Sequence, residues 1–545
     1  MKILGISGTL DYMKSHDAAA ALVIDGKLVG NYEDERFNGS KHSVDCPFPH
    51  QSIHKLLSEN NLTLDDIDLI GCPYDIRFVE EYKKRIAEAI DPNHTKIPPL
   101  LYLNHHMAHL CEVIFQSGFD HCACLVIDGM GDAKDSVTLA HYKDGKINIL
   151  KKYVATVSPG IMYSVASITV AALGDFSEGK LMGLAPYGKP TEKMPLSIKD
   201  HEIVADFPAY INTENISPQE FDKFDLVFNS YFKKNCYPYR EKSQKRDNVM
   251  YYANFAASVQ KCYEDIVLDI VKYLKELTNE DNLVMSGGCI QNCIANNMIV
   301  ELGLFKDIYA SPIPHDAGCA AGLALYGAYV NNEKIENKRL KNSYTGKTYT
   351  NEEVLKACEG STVTDYDKTK LARDLKNGKI YAWFQGGSEL GPRALGHRSL
   401  IADPSKRENL FILNDELKHR ENWRPLAPSI PEELFDKVFD TPSHQLCEFM
   451  LRTLIIKPEY RKKLIAVCHI DNSTRPQCLE REQNPEYYDF MMEFYKISGV
   501  PGIINTSFND RGQPIIETPE TAIKFLKEHP YLDGIIFNAK YVVTR

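Results

Sequence analysis

His105 and His109 stand four apart in Asn104-His105-His106-Met107-Ala108-His109. On a helix that spacing puts both imidazoles on one face, where they can grip a single metal ion. Spacing alone is a weak signal, since His50 and His54 share it and most such pairs are surface or core histidines. What distinguishes His105 and His109 is their company. Asp128 opens the turn Asp128-Gly129-Met130-Gly131-Asp132 after an apolar run, and Asp316 sits in another strand-end turn. Two imidazoles with one or two carboxylates suit Fe(II), Mn(II) or Zn(II), and a mixed nitrogen and oxygen set with open positions favours iron. Near the N-terminus His16-Asp17 precedes an apolar strand, and His16 is the residue there that fits a proton acceptor.

A second group of residues is cationic. Residues 393–424 hold Arg393, Arg398, Lys406, Arg407, Lys418, Arg420 and Arg424, about twice the share that 63 basic residues in 545 would give. In Gly391-Pro392-Arg393-Ala394-Leu395-Gly396-His397-Arg398-Ser399 the arginines lie five apart around a glycine, so they converge only if the segment turns tightly. Guanidinium forks bind phosphate oxygens in pairs, more strongly than neutral donors do. These basic residues alternate with Pro, Gly, Leu and Trp423, which fits an anion pocket better than a solvated basic face. Arg475 ends the polar loop Asp471-Asn472-Ser473-Thr474-Arg475. Asn505-Thr506-Ser507-Phe508-Asn509 follows the apolar run Val500–Ile504 and could hydrogen-bond an amide or nucleotide. Gly287-Gly288 after a strand, and Asp316-Ala317-Gly318 before a helix, let backbone approach a ligand, and a helix N-terminus suits phosphate. The glycine-punctuated loop 179–188 lacks Walker spacing and is no P-loop.

The elements that must carry these groups show a weak duplication. Residues 2–7, 18–24 and a third strand are joined by turns that include Asp25-Gly26-Lys27. Some 119 residues later the grammar returns as 122–127, 137–142 and 147–150, with the turn Asp144-Gly145-Lys146. Asp-Gly between apolar runs is a hairpin signal. Paired strand–turn–strand units of this kind resemble the actin, sugar-kinase and Hsp70 type of ATPase. Helical spacing covers 49–60, 79–90 and 252–277. A small-residue helix is expected over Cys319–Tyr329, and helices over Asn351–Cys358 and Lys368–Lys376. The lysine-rich stretch 331–348 has almost no core formers and reads as a linker, dividing the chain into domains at 1–340 and 345–545.

Composition narrows the class. The chain has 545 residues, 43% of them hydrophobic and 25% charged, which excludes a disordered chain, a collagen or a coiled-coil rod. A net charge of −11 disfavours global attraction to nucleic acid or an anionic membrane while allowing a local basic pocket. No apolar stretch is long enough for a transmembrane helix, and the N-terminus reads as a strand rather than a signal peptide. Fourteen scattered cysteines without a CxxC pair read as reduced thiols of a cytoplasmic protein.

Several of these segments together resemble the antibiotic and nodulation-type O-carbamoyltransferases, such as the tobramycin and cephamycin enzymes. They are His16-Asp17-Ala18, Glu35-Arg36 with Lys41-His42 and Phe48-Pro49, and His105-xxx-His109. Later in the chain come Glu389–Ser399, Trp423-Arg424-Pro425-Leu426-Ala427-Pro428 and Asn505–Asn509. The likeness runs in order along essentially the whole chain. The sequence departs from the family's usual pattern at Ser388, at His397 and in 287–292. None of these removes a metal or arginine position.

The resemblance implies an α/β fold: an N-terminal ASKHA domain like the threonylcarbamoyl transferases, and a C-terminal YrdC-like domain. It implies that carbamoyl phosphate and ATP, with Mg²⁺, give carbamoyl-AMP in the second domain. The carbamoyl group then passes to a hydroxyl of a small natural product in the first, as in antibiotic biosynthesis and other secondary metabolism. On that reading Arg393, His397, Arg398, Lys418, Arg424, Arg475, Asn505 and Ser507 line the activation site. His105, His109, Asp128 and Asp316 hold the metal, iron by preference. His16 is the base for the acceptor, Lys41 lies near the intermediate, and Gly287 and Gly288 approach a nucleotide in the first domain. A monomer or homodimer is expected. Carbamoylation of a tRNA or a protein thiol, or a silent nucleotide-binding protein, are the competing readings; the acidic charge and the missing CxxC pairs weigh against the first two.

Overall fold

A computed structural model describes residues 1–8, 16–73, 79–90, 97–131, 134–207, 222–236, 249–441 and 443–545. Contacts divide the chain into two compact units, 1–29 with 47–339 and 30–46 with 340–545.

The first unit holds two five-stranded sheets, save residues 30–33 at the end of one strand, which are assigned to the second unit. Lys2–Ser7 (β1), Ala19–Ile24 (β2), Lys27–Glu33 (β3), Leu69–Pro73 (β4) and Leu100–Leu103 (β5) run in the order β3-β2-β1-β4-β5. Cys122–Ile127 (β6), Asp135–Lys143 (β7) and Lys146–Val154 (β8) are followed by the hairpin Leu196–Lys199 (β9) and Glu202–Ala205 (β10). Asn282–Ser286 (β11) and Asp307–Ala310 (β12) then complete the order β12-β11-β6-β7-β8. In both sheets the first strand pairs antiparallel with the second and parallel with a later one. The duplication read from the sequence is thus a duplication of topology, the paired arrangement of an ASKHA-type fold. The two Asp-Gly turns match as well: Asp25 and Gly26 have φ of 49° and 75°, Asp144 and Gly145 have 53° and 71°. Two successive left-handed residues are what a tight hairpin twist requires. β6 is buried along its whole length, as the continuous apolar run of a parallel pair must be.

One helix organises the first sheet. Cys319–Val330 is apolar all round, as befits a helix enclosed on every side. It packs on β1, β2 and β4 and on the helix His105–Phe115. Its approach is close enough to require glycine on both sides. A Cβ on Gly5 would stand 2.0 Å from the Ala320 carbonyl oxygen, and one on Gly322 would stand 1.9 Å from that of Ala108. The helix expected over 252–277 is Ala253–Thr278.

The second unit is built on a mixed eight-stranded sheet. Its strands are Thr362–Asp365 (β13), Tyr381–Phe384 (β14), Arg398–Ala402 (β15), Ala427–Pro431 (β16), Gln477–Leu479 (β19), Ile503–Ser507 (β20), Gly534–Phe537 (β21) and Tyr541–Thr544 (β22). Leu454–Ile455 (β17) and Ser473–Thr474 (β18) form a separate pair. The order is β13-β22-β21-β14-β15-β20-β16-β19. Trp383, Phe384, Phe435 and Phe490 lie at the centre of the core. The strand expected at Val500–Ile504 begins at Ile503 and runs on through Asn505 and Ser507, so these polar residues belong to the sheet.

The stretch expected to be a linker is held to the units by polar contacts. The Glu336 amide donates to the Gly26 carbonyl and Arg339 pairs with Asp307 at 2.7 Å. From Leu340 onward the chain belongs to the second unit, where the Gly346 amide bonds the Ser388 carbonyl. Polar ties leave no hydrophobic pattern. Residues 30–46, far upstream in sequence, also belong to this unit, which a single boundary near 340 does not provide.

Candidate functional site

In the first unit three separate elements deliver one cluster. Asn104 caps the helix His105–Phe115, its side chain accepting from the Met107 amide. His105 and His109 therefore project one turn apart, with ring centroids 4.7 Å apart. Asp128 directly follows β6, and its Oδ1 accepts from the Gly129 amide at 2.8 Å and the Gly288 amide at 3.2 Å. Asp316 opens the turn into the glycine-bearing helix, its carbonyl held by Ser7 Oγ at 2.8 Å. His105 Nε2 lies 2.9 Å from Asp128 Oδ2 and 3.4 Å from Asp316 Oδ1, while His109 Nε2 lies 3.6 and 3.8 Å from the same atoms. One ligand atom from each of the four falls within 4.8 Å of every other, and Cys319 joins the two histidines at the same range. His50 and His54 enter no such cluster among the described residues.

The electrostatics agree with a cation site. Burial would raise Asp128 and Asp316, and Asp316 opposes the charge on Asp128, yet the facing imidazoles hold both low. Burial alone would lower His105 and His109, but the nearby Cys319 and the two carboxylates hold both well above the ordinary value. Two nitrogens and two carboxylate oxygens converging in a buried site are a fitting donor set for a divalent transition metal.

Behind His109 lies a chain that the sequence did not reveal. His109 Nδ1 meets Ser286 Oγ at 3.2 Å, and Ser286 Oγ meets Glu112 Oε2 at 3.4 Å. Glu112 is fully buried, accepts from Gln116 Nε2 at 2.9 Å, and is pushed up to about 7 by that burial. Such a chain fixes which imidazole nitrogen faces the cluster. Glu112 is one turn from His109 and Ser286 precedes Gly287, so only its i+3 position on a helix hinted at a role.

His16 lies in the same unit. Its Nδ1 meets Asp17 Oδ2 at 2.9 Å and its ring packs edge-on to Phe176. Burial pulls His16 down, but the Asp17 bond and the carboxylates of Asp316 and Asp128 lift it to about 9. Gly287 has φ +97°, and a Cβ there would strike the Ile127 carbonyl. The Gly287-Gly288 turn lays its backbone against Ile127 and Asp128, and the Gly288 amide donates to the Asp128 carboxylate.

The second unit gathers the cations. Burial lowers Lys41, and Arg424, Arg36 and Arg393 lower it further against Glu35. Lys418 is held well below the lysine range by burial and by Arg420, Lys41 and Arg424. Burial and Arg475 depress both Arg420 and Arg424, and Arg511 adds to the effect on Arg424. Lys41, Arg393, Lys418, Arg424 and Arg475 thus share one field, joined by Arg420 and Arg511. Lys41, placed by sequence in the first domain, belongs to this unit. Its segment is anchored by Arg36, whose Nη2 donates to Glu33 at 2.9 Å and to the Gly391 carbonyl at 2.7 Å.

The tight turn demanded by the Gly-Pro-Arg segment is formed around Glu389. Its Oε1 accepts the amides of Leu395, His397 and Arg398 at 2.7, 2.7 and 3.1 Å, with Gly391 and Gly396 at φ +97° and +108°. The two arginines then part in role. Arg398 is fully buried, donates to the carbonyls of Gln385, Gly386, His397 and Glu517, and lies 3.5 Å over the Phe384 ring. It holds loops rather than offering a fork. His397 stacks on Tyr344 at 3.5 Å and bonds the Gly387 carbonyl, and burial lowers it to about 3, so it is neutral. Lys418 Nζ donates to both Ser507 and Asn509, side chain and carbonyl alike. Asn505 Nδ2 donates to Ala394, Ser429 and Gln477, while its Oδ1 is buried without a partner among the described residues.

Comparison with known proteins agrees with both units. The family described as Carbamoyltransferase N-terminus matches residues 74–325, and Carbamoyltransferase C-terminus matches 372–544. An uncharacterized Synechocystis protein is 32% identical over 96% of this chain and 93% of its own length. The nodulation protein NolNO of Sinorhizobium fredii is 30% identical over 100% of this chain and 83% of its own. The 3'-hydroxymethylcephem-O-carbamoyltransferase of Amycolatopsis lactamdurans is 27% identical over 73% and 72%. The chain is an enzyme of the transferase class, and it belongs to the O-carbamoyltransferase family that includes nodulation and cephem enzymes. Among the described residues no helix is long and apolar enough to cross a membrane.

Proposed function

We propose that the chain is an ATP-dependent O-carbamoyltransferase that works through carbamoyl-AMP. In the second unit water cleaves the mixed anhydride of carbamoyl phosphate, giving carbamate and phosphate. A carbamate oxygen then attacks the α-phosphorus of ATP and pyrophosphate leaves. In the first unit an acceptor hydroxyl attacks the carbamoyl carbon, giving the O-carbamoyl product and AMP.

The observation that carries this reading is the gathering of Lys41, Lys418, Arg420 and Arg424 in one buried place, each lowered first by burial and then by cations beside it. Like charges forced together in a buried site store repulsion that a polyanion relieves, and Mg²⁺ arriving with ATP would share the load. Arg393 and Arg475 stand in the same field, and Asn505 Oδ1 and Ser507 are suited to a carbamate amide. Arg398 and His397 shape this site from behind.

In the first unit His105, His109, Asp128 and Asp316 would hold a divalent metal, Fe(II) by the mixed donor set, supplying Lewis acidity toward the adenylate. His16 Nδ1 is held by Asp17, leaving Nε2 to accept the acceptor's proton. Compensation of the carboxylate charge that lifts His16 would return it toward the neutral form a base needs. The acceptor is a small hydroxylated metabolite, consistent with the nodulation and cephem relatives. A cytoplasmic setting accords with fourteen free thiols.

Two variants separate the half-reactions. Arg424→Ala should abolish pyrophosphate release that depends on both ATP and carbamoyl phosphate; undiminished release overturns the cationic assignment. His16→Asn should preserve that release and stop the 43-Da mass gain of a hydroxylated acceptor (about one carbamoyl for one hydrogen); carbamoylation at the original rate removes His16 as base.

A further inference from the structure

A second group of metal-ligating side chains lies in the second unit, beside the cations described above. His419 Nδ1 stands 2.9 Å from Asp510 Oδ1, and His529 Nε2 stands 3.7 Å from Asp510 Oδ2. One ligand atom from each of the three falls within 4.8 Å of the others. With metal–ligand bonds of about 2.0–2.2 Å, donor atoms around one ion lie roughly 3.0–3.5 Å apart. The observed separations bracket that range.

Each ligand is prepared. His529 stacks on Phe525 at 3.7 Å and 11°, and its Nδ1 meets the Phe525 carbonyl at 2.9 Å. A carbonyl can only accept, so Nδ1 carries a hydrogen, and in the neutral ring Nε2 presents a lone pair toward Asp510, the tautomer and backing of a metal-bound histidine. His419 adopts φ +42°, a left-handed conformation that a side chain makes costly. It is held there between Lys418, which grips Asn509, and Arg511, whose guanidinium reaches the His419 carbonyl.

We propose that His419, Asp510 and His529 form a site for a divalent transition metal. Two imidazoles and one carboxylate leave open positions and favour Zn(II) or Co(II) over Mg(II), which prefers oxygen. Lys418, Arg420 and Arg511 flank the ligands and oppose any cation by charge, so selection rests on imidazole ligation. An ion there ties the 418–420 segment and the 509–511 loop to the end of the helix Pro519–Glu528, pinning the loops that carry Lys418 and Arg511.

Equilibrium dialysis of the full chain with Co(II), read by bound metal per chain and by visible ligand-field absorption, tests this. Two equivalents are expected in the wild type, falling to one in Asp510→Asn and in His419→Gln. His419 is largely exposed, so the second variant should fold even where the first does not. An excess of Mg(II) should leave the Asp510-dependent band in place. A wild type whose bound cobalt neither variant diminishes overturns the proposal. If the single equivalent bound survives His105→Ala but is lost in Asp510→Asn, this site stands and the first-unit assignment falls.

Discussion

At the scale of single residues, the cations of the second unit and the ligands of the first are held against their own preferences, and relief should be measurable. Lys41 and Lys418 are lowered by burial and by neighbouring guanidinium groups. A bound polyanion reverses the second cause, so ATP should raise both lysines as it binds. Calorimetric titration of ATP at mildly alkaline pH, in buffers of different ionisation enthalpy, should show net proton uptake; no uptake, or release, would contradict the placement of the nucleotide phosphates there. Behind the metal ligands, Glu112→Gln keeps the shape while weakening the acceptor at the end of the His109–Ser286–Glu112 chain. Metal affinity should fall about 10–100-fold with unchanged far-ultraviolet dichroism. A variant that binds metal like the wild type would leave Glu112 a packing residue.

At the scale of elements, the decisive feature is close approach. His105 and His109 ride on one helix and Asp316 leads into another, and the two meet where Gly322 faces the Ala108 carbonyl. Gly322→Ala places a methyl 1.9 Å from that oxygen, against backbone that cannot swing aside. Overpacking of this kind costs about 1–3 kcal/mol, and the helices can relieve it only by separating. We expect a lower thermal midpoint and a larger loss of metal affinity than Gly179→Ala, a glycine with nothing near its missing Cβ, would cause. Equal effects would mean that the helix pair does not set the cluster. This shows what sequence could disclose. The His-xxx-His spacing, the duplicated Asp-Gly turns and Asp128 were legible because local periodicity and turn chemistry encode them. Glu112, Ser286, Cys319 and Glu389 were not, because their roles depend on pairings far apart in the chain. Type and spacing point Arg398 toward an anion, and the resemblance adds His397, but a short segment folded around Glu389 turns them inward to carbonyls and to Tyr344.

At the scale of the whole molecule, a net charge of −11 coexists with a unit that buries several cations together with an imidazole that burial keeps neutral. Both tryptophans of the chain, Trp383 and Trp423, belong to the second unit, and their emission therefore reports on that unit alone. His397 is lowered to about 3, first by burial and then by Arg398, against a rise from the Gly387 carbonyl. Its ordinary value is 6.5. Between the two the unfolded chain binds a proton that the folded unit refuses. Stability is then complete above pH 6.5 and declines as pH falls toward 3, by up to about 1.4 kcal/mol per pH unit. His397→Asn removes the titrating group while keeping a side-chain amide that can donate to Gly387. Loss of the stacking on Tyr344 should lower stability by a constant amount at every pH, so the slope discriminates and the midpoint does not. Denaturant unfolding followed by tryptophan emission between pH 7.5 and pH 4.5 should be steeper in the wild type than in the variant (about one proton per molecule). Parallel slopes would mean that His397 is protonated inside the folded unit, and the neutral, loop-holding role given to it here would fail.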